Sequence, residues 1–332
     1  MPGIQDFTYL NHAKETVRGT PIAPTRKLLG DATGVLAVDP SLAFHENENR
    51  GRRSVVARVT QQAEDVSLKV RQDATFDDMV LFATQLKGGL TGTGAGADKT
   101  WLANPSMTGA NSQEAHTFDV GDDTQNYRVQ YGMCRRFSQK AAAGPGALTS
   151  VESEWFGQHV AKTAKATPAD PAFSPKIVGD LWTIKFATTF AGLAGASVQL
   201  ALLIDHKLSV TTGLVWRHYQ DGNLFGGQHV ETSFDGTFEL TVESTALAIS
   251  EFYDKWLSQT LDYVRLKNTS PVVLGGSFPS LQHDFAVYWS DVKPIADQSE
   301  GVNLYRISGR LADDGTNPLI TSTLVCSLAA IP

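Results

Sequence analysis

The residues that could do chemistry are few and scattered. The histidines are His12, His45, His116, His159, His206, His218, His229 and His283. No two stand at the spacing of a metal-ligand pair, and neither HExxH nor Cys-x-x-Cys occurs. Cys134 and Cys326 fall in strand-like stretches and read as small buried apolar groups rather than a disulfide framework or a zinc site. There is no Gly-x-Ser-x-Gly elbow to present a nucleophilic serine. Asp77-Asp78, Asp122-Asp123 and Asp313-Asp314 are adjacent in sequence. The first pair opens a helix, where carboxylates favour the dipole, and the other two sit in turns. Nothing signals two carboxylates converging on one glycosidic bond. Gly88–Thr100 is glycine-rich, but Asp98 precedes Lys99, the run follows a helix, and Trp101-Leu-Ala-Asn-Pro105 does not start one. A phosphate loop needs Gly-Lys-Ser/Thr opening a helix straight after a strand, so the run reads as a connection. No enzyme, metal site or cofactor is expected.

Two stretches organise the rest. In Val66–Leu86 and Phe238–Leu257, apolar residues first alternate (Val66, Leu68, Val70; Phe238, Leu240, Val242) and then take helical spacing (Phe76, Met79, Val80, Ala83; Ile249, Phe252, Tyr253, Trp256). The first period is that of a strand with one buried face, the second that of an amphipathic helix. Further matches follow in the same order. Val70 and Val242 lie 172 apart, His116–Val120 and His283–Val287 lie 167 apart, Tyr127-Arg-Val129 and Tyr305-Arg-Ile307 lie 178 apart, and Leu148-Thr-Ser150 and Ile320-Thr-Ser322 lie 172 apart. Alternating strands resemble one another, so each match alone is weak. Their shared order points to an internal duplication. Matched placement also favours a structural role for His116 and His283 over a catalytic one.

Between these anchors, residues 1–30 read as an arm with little core of its own. Leu36–Val38, Leu42–Phe44 and Ser54–Thr60 are strand-like. Glu46, Glu48, Arg50, Arg52 and Arg53 form a polar loop, either a solvated hairpin tip or a contact with a neighbouring subunit. His116–Val120 and Tyr127–Tyr131 flank a turn as a hairpin, and Ala147–Trp155 is strand-like. Residues 166–176, with Pro168, Pro171 and Pro175, read as a linker. Beyond it come strand-like blocks at Leu181–Phe186, Val198–Ile204, Lys207–Trp216, Gly236–Glu243, Tyr263–Lys267, Phe285–Trp289, Asn303–Arg310 and Leu319–Leu328. The expected class is mainly β (α+β), with one helix per half and domains at 1–165 and 177–332.

The 332 residues suffice for two ordinary domains, and 42% hydrophobic against 19% charged residues makes a packed core expected and global disorder not. No apolar run is long enough to span a bilayer, and Met1–Phe7 lacks the basic and apolar regions of a signal peptide. The net charge of −7 argues against generic binding to the DNA backbone. It is unevenly divided: residues 1–170 hold 18 Lys+Arg and 19 Asp+Glu, giving −1, and residues 171–332 hold 10 and 16, giving −6.

One family shows this order of features. Glu15–Pro21 followed by Thr25–Leu29, the strand-to-helix unit ending Phe76–Ala83, Thr117-Phe-Asp-Val-Gly-Asp122 leading into Tyr127–Cys134, and Gly146–Ser150 together resemble tail tube (major tail) proteins of long-tailed bacteriophages. The resemblance covers most of the first half and reaches the second through the repeat. It implies two tandem antiparallel β-sandwich or barrel domains, each with a flanking helix, whose sheets join into the wall of a ring. Rings of six such domains stack into a tube, so a duplicated chain needs three copies, a trimer with pseudo-sixfold symmetry. It further implies a virion protein made in the host cytoplasm, partnered by its own copies and by tape measure, tip and terminator proteins, with DNA passing through the lumen unbound. An acidic lumen repels phosphates, and Glu239 and Glu243, on the polar side of the second repeated strand, are candidates to face it. The competing expectation is a carbohydrate-binding or adhesin-like pair of sandwiches with an aromatic platform drawn from Trp182, Trp216, Trp256 and Trp289.

Overall fold

Alternating apolar residues put most of this chain into antiparallel strands. The computed structural model describes residues 9–29, 33–39, 41–46, 56–61, 63–94, 98–122, 124–199, 203–220, 222, 224, 226–299 and 302–332. The first half runs β1 (Tyr9–Lys14), β2 (Arg26–Lys27), β3 (Thr33–Asp39), β4 (Leu42–Glu46), β5 (Val56–Gln61), β6 (Asp65–Asp73), the first helix (Met79–Leu86), β7 (Lys99–Ala103), β8 (His116–Gly121), β9 (Asn126–Ala142), β10 (Ser150–Gly157) and β11 (His159–Thr163). The second runs β12 (Trp182–Ala187), β13 (Leu203–Thr211), β14 (Leu214–Arg217), β15 (Gln228–Glu231), β16 (Asp235–Glu243), a second helix made of Ala246–Ala248, a π-helical Ile249–Tyr253 and Asp254–Ser258, then β17 (Asp262–Thr269), β18 (Ser280–Ser299), β19 (Val302–Ala312) and β20 (Ile320–Cys326).

The class is mainly β, with large antiparallel sheets and short helices. One continuous path of paired strands reads β12-β17-β18-β19-β16-β13-β9-β10-β6-β3. It crosses from one half of the chain to the other at a single seam, where β9 pairs β13 from Arg136↔Thr211 to Ala142↔Asp205.

The same pairing scheme occurs twice. In the first half β1 pairs β8, β8 pairs β9, β9 pairs β10 and β11, β10 pairs β6, and β6 pairs β3, while β4 and β5 form a separate hairpin. In the second half β12 pairs β17, β17 pairs β18, β18 pairs β19 and β20, β19 pairs β16, and β16 pairs β13, with β14 and β15 as the hairpin. The helix follows β6 and β16 respectively. β2 and β7 occur only in the first half. The counterparts differ from the motif matches beyond the helices. His116 starts β8, whose counterpart is β17, but His283 lies on β18, the counterpart of β9. The alternation shared by all strands makes adjacent strands of a hairpin interchangeable to the eye.

β9 and β18 are long because each serves two layers. Residues 126–132 of β9 pair β8, and its later residues pair β10 and β13. Residues 280–287 of β18 pair β17, and the stretch from Ala286 onward pairs β19. The core lies between the layers. Val66, Leu68 and Val70 of β6 and Phe238, Leu240 and Val242 of β16 are all buried in it. Every residue of the first helix is buried, and Phe82 meets Phe137 at 5.5 Å. In the second half Phe252 meets Trp289 edge-on at 5.0 Å. Each such aromatic contributes roughly 1.5–3 kcal/mol by leaving water. The second helix starts where Thr245 Oγ1 accepts from Ala248 N–H, and it stops at Gln259, whose φ of 53° is left-handed.

Four expectations change. Within the expected N-terminal arm, β1 is core: Leu10, Asn11, His12 and Ala13 are buried, because β1 is flanked on both sides by β2 and β8 and its backbone needs no wide apolar face. Lys99–Ala103 is a strand, pairing β20 and burying Trp101. The stretch 207–216 is two strands, broken at Gly213. That residue sits at φ +71°, and a Cβ there would lie 2.6 Å from the Ser233 carbonyl. Finally, the proline-rich stretch is tied down at its end: Ser174 and Pro175 are buried, and Ile177 N–H donates to the Ala74 carbonyl.

Candidate assembly surface

At its far end the long sheet carries Trp216 packed over Phe156 on the face opposite the core; around Arg71 and Glu239 that face is bare, with no packed layer among the described residues. Strict alternation places every second side chain there, and the register aligns them across strands. One row reads Arg71, Glu152, Ser138, Ser209, Thr237, Arg310. The next reads Ser150, Lys140, Lys207, Glu239, Ser308. Lys69 and Arg71 on β6 and Glu239 on β16 therefore look out from the same surface. The signs are mixed and largely matched. Arg71 Nε lies 3.6 Å from Glu152, and Arg310 donates to both Asp235 oxygens at 3.0 and 2.9 Å. A shallow depression of about 420 Å³ on this face is lined by Arg71, Lys140, Glu152, Lys207, Glu239 and Arg306, among others.

Of the two acids singled out in the sequence, Glu239 is exposed between Lys207 and Ser308, and Glu243 is half-buried opposite Leu304. Glu46 is the last residue of β4 and pairs Val56 of β5. Glu48, Arg50, Arg52 and Arg53 lie outside the described residues.

The polar groups inside the molecule are structural in their geometry. His283 Nε2 faces Gln139 Oε1 at 3.2 Å, and its Nδ1 faces Ser322 Oγ at 2.8 Å. The amide oxygen can only accept, so Nε2 carries the proton and Nδ1 accepts from the serine. This bond joins the two halves. Burial pushes His283 down to about 4 and His12 and His206 to about 3, and it holds His116 well below its ordinary value, so all four stay neutral. Burial also pushes the Cys134 and Cys326 thiols up, which makes them unreactive. Among the described residues, no group of three or more His, Cys, Asp and Glu side chains could hold a metal. Trp182 and Trp289 are buried, and Trp216 and Trp256 pack partly buried against hydrophobic clusters, so these four form no platform.

Charge pairs repeat with the fold. Asp119 on β8 binds Arg128 on β9, and Arg265 on β17 binds Asp284 on β18, each pair bidentate. The expected hairpin brought the strands of Asp119 and Arg128 together, but its alternation did not fix the register that places the two side chains opposite each other.

The sheet has two ends on the bare-face layer. Among the described residues, β3 pairs only β6, and residues 288–299 of β18 pair only β19. Open edges of this length recruit further strands. No family model matches the chain, and no curated protein matches it.

Proposed function

We propose that this chain is the tail tube protein of a long-tailed bacteriophage, built from two tandem copies of one sandwich-like domain and assembling as trimeric rings that stack into a tube for genome passage. The observation that carries the reading is the seam between β9 and β13. There the two halves, which repeat one pairing scheme, are already joined edge to edge into a wall with one bare polar face. A ring is that arrangement continued.

The dimensions agree. β3, β6, β10, β9, β13, β16, β19 and β18 make eight wall strands per chain, hence 24 for three chains. Strands about 4.8 Å apart and tilted about 40° close at a backbone diameter of roughly 48 Å, which leaves room for a double helix. The bare face lines that channel. Its cations lie beside carboxylates, which limits the net potential that DNA meets and suits transit without binding. Ring closure also removes the open edges of the sheet.

Negative-stain electron microscopy with native mass spectrometry tests this. Rings or hollow tubes, with trimers as the repeating mass, are expected. A monomer that stays dispersed at high concentration, including in the presence of a tail-tip extract from the same phage, overturns it.

A further inference from the structure

We infer that the seam between neighbouring copies repeats the seam inside the chain: residues 288–299 of β18 pair β3 of the next copy, and the second helix of the first packs against β11 of the next. This rests on the ring reading above and says which surfaces close the ring.

The argument is one of counterparts. The internal seam joins β9 to β13. By the repeated pairing scheme the counterpart of β9 is β18, and that of β13 is β3. These are the two wall strands left with an open edge. Each half thus supplies one donor and one acceptor edge, and only one donor–acceptor pair is satisfied within a single chain.

Burial tells the same story. On β13, inside the seam, Leu208 and Val210 are 0% exposed. On β3 the counterpart of Leu208 is Val38, which stands 44% exposed. Apolar side chains on an open strand edge mark a surface that is covered in the working assembly.

The helices extend the comparison to the second layer. The first helix is covered by the other half of the chain, where Leu281 of β18 and Leu324 of β20 close over Met79 and Leu86. The second helix lacks such a cover, leaving Ile249 42% and Leu257 61% exposed. The counterpart of β20 is β11, which has no buried residue. The cover missing from the helix and the burial missing from the strand are two sides of one contact. The partner is therefore a second copy of this chain.

The test is chemical cross-linking of assembled protein. Asp39 on β3 is the counterpart of Ser209 and Asp297 on β18 that of Ser138, and Ser209 and Ser138 face each other across the internal seam. The native thiols are buried. The D39C/D297C double variant, shown by circular dichroism to be folded and by microscopy to form rings, is treated with a short bis-maleimide. Cross-linked dimers and trimers are expected, with no larger product from a single ring. They should form on the order of 100-fold faster than in a mixture of unassembled chains, since facing thiols sit at millimolar effective concentration. Co-assembly of the D39C and D297C single variants should give dimers only, which keeps the test open if the double variant misfolds. Rings without cross-links above the single-variant controls overturn this seam and leave the ring reading standing. Failure of the unsubstituted protein to form rings overturns both.

Discussion

Arg265 donates to Asp284 through Nε at 2.7 Å and through Nη2 at 2.8 Å. Arg128 and Asp119 repeat both distances in the other half, with the charges exchanged between the paired strands. A bidentate pair is indifferent to which strand carries the cation, so two copies of one architecture can keep the bond and swap its ends.

Asp284 is buried, with its side chain only 7% exposed, so removing the arginine strands a carboxylate. R265A should lower the unfolding free energy by about 3 kcal/mol. The exchanged pair R265D/D284R should recover most of that loss, because the other half shows the reversed arrangement fits. Urea unfolding of the single and double variants measures the coupling. Losses that simply add would remove the claim of interchangeable ends.

The fold was legible where one face of a strand is apolar. Val66–Val70 and Phe238–Val242 are strands followed by helices, as their spacing requires. The first helix was less obvious than its burial suggests: it is buried all round, Thr84 and Gln85 included, because the second half of the chain covers it, and spacing alone does not show a cover that distant. β1 escaped notice because Asn11 and His12 are buried with few apolar neighbours in sequence. Trp101 looked like the tail of a glycine-rich connection because its strand is made by pairing β20, more than two hundred residues away. Glu239 was legible as polar, but its surroundings were not. Lys207 and Arg306 reach the same depression from strands that no local pattern links to β16.

Neutral buried histidines set a pH dependence whose sign can be worked out. His12, His116, His206 and His283 have folded values below their unfolded one of about 6.5, so the unfolded chain takes up protons first and stability falls as pH drops below that point. Burial raises Asp78 and Asp262 to about 6 and also raises Glu15, so these three oppose the trend as pH falls. Four histidines outweigh the opposing acids, so the unfolded chain takes up more protons and stability falls as pH drops from about 6 to about 4.5. His206 lies against Trp182 at 4.9 Å, and its Nε2 has no hydrogen-bond partner among the described residues. H206L should therefore flatten the slope without disturbing the fold at pH 7.5. Denaturant titrations across that range would show an unchanged slope if the buried histidines do not drive it.

Asp78 fastens the N-terminal segment. Its Oδ2 accepts from Leu29 N–H at 2.9 Å, and Arg26 lies 3.8 Å from its Oδ1. Arg26 is buried and so shielded from trypsin. D78A removes the acceptor of Leu29 and leaves Asp77 as the nearer anion for Arg26, at 3.4 Å. Cleavage after Arg26 and Lys27 should then become roughly tenfold faster, matching a local opening made about 1.4 kcal/mol easier. Mass spectrometry of a timed digest gives the rates, and equal rates in both proteins would place the fastening elsewhere.

The bare face should tolerate DNA only while its signs stay balanced. Glu239 pairs across strands with Lys207 and shares its depression with Lys140 and Arg306. Glu152 lies opposite Arg71. Converting both acids to lysine in E152K/E239K changes the charge of each chain by +4 and leaves Asp205 as the acid lining the depression. Both positions are exposed, so folding stability should change little, within about 0.5 kcal/mol for each site, apart from added repulsion that salt screens. Duplex DNA should pass the unsubstituted protein in a gel without retardation and be held by the variant. That retention should weaken steeply with salt, with a slope near −0.9 for each phosphate neutralised. Retention of DNA by the unsubstituted protein at physiological salt would contradict a non-adhesive lining, and so would a variant that binds no better.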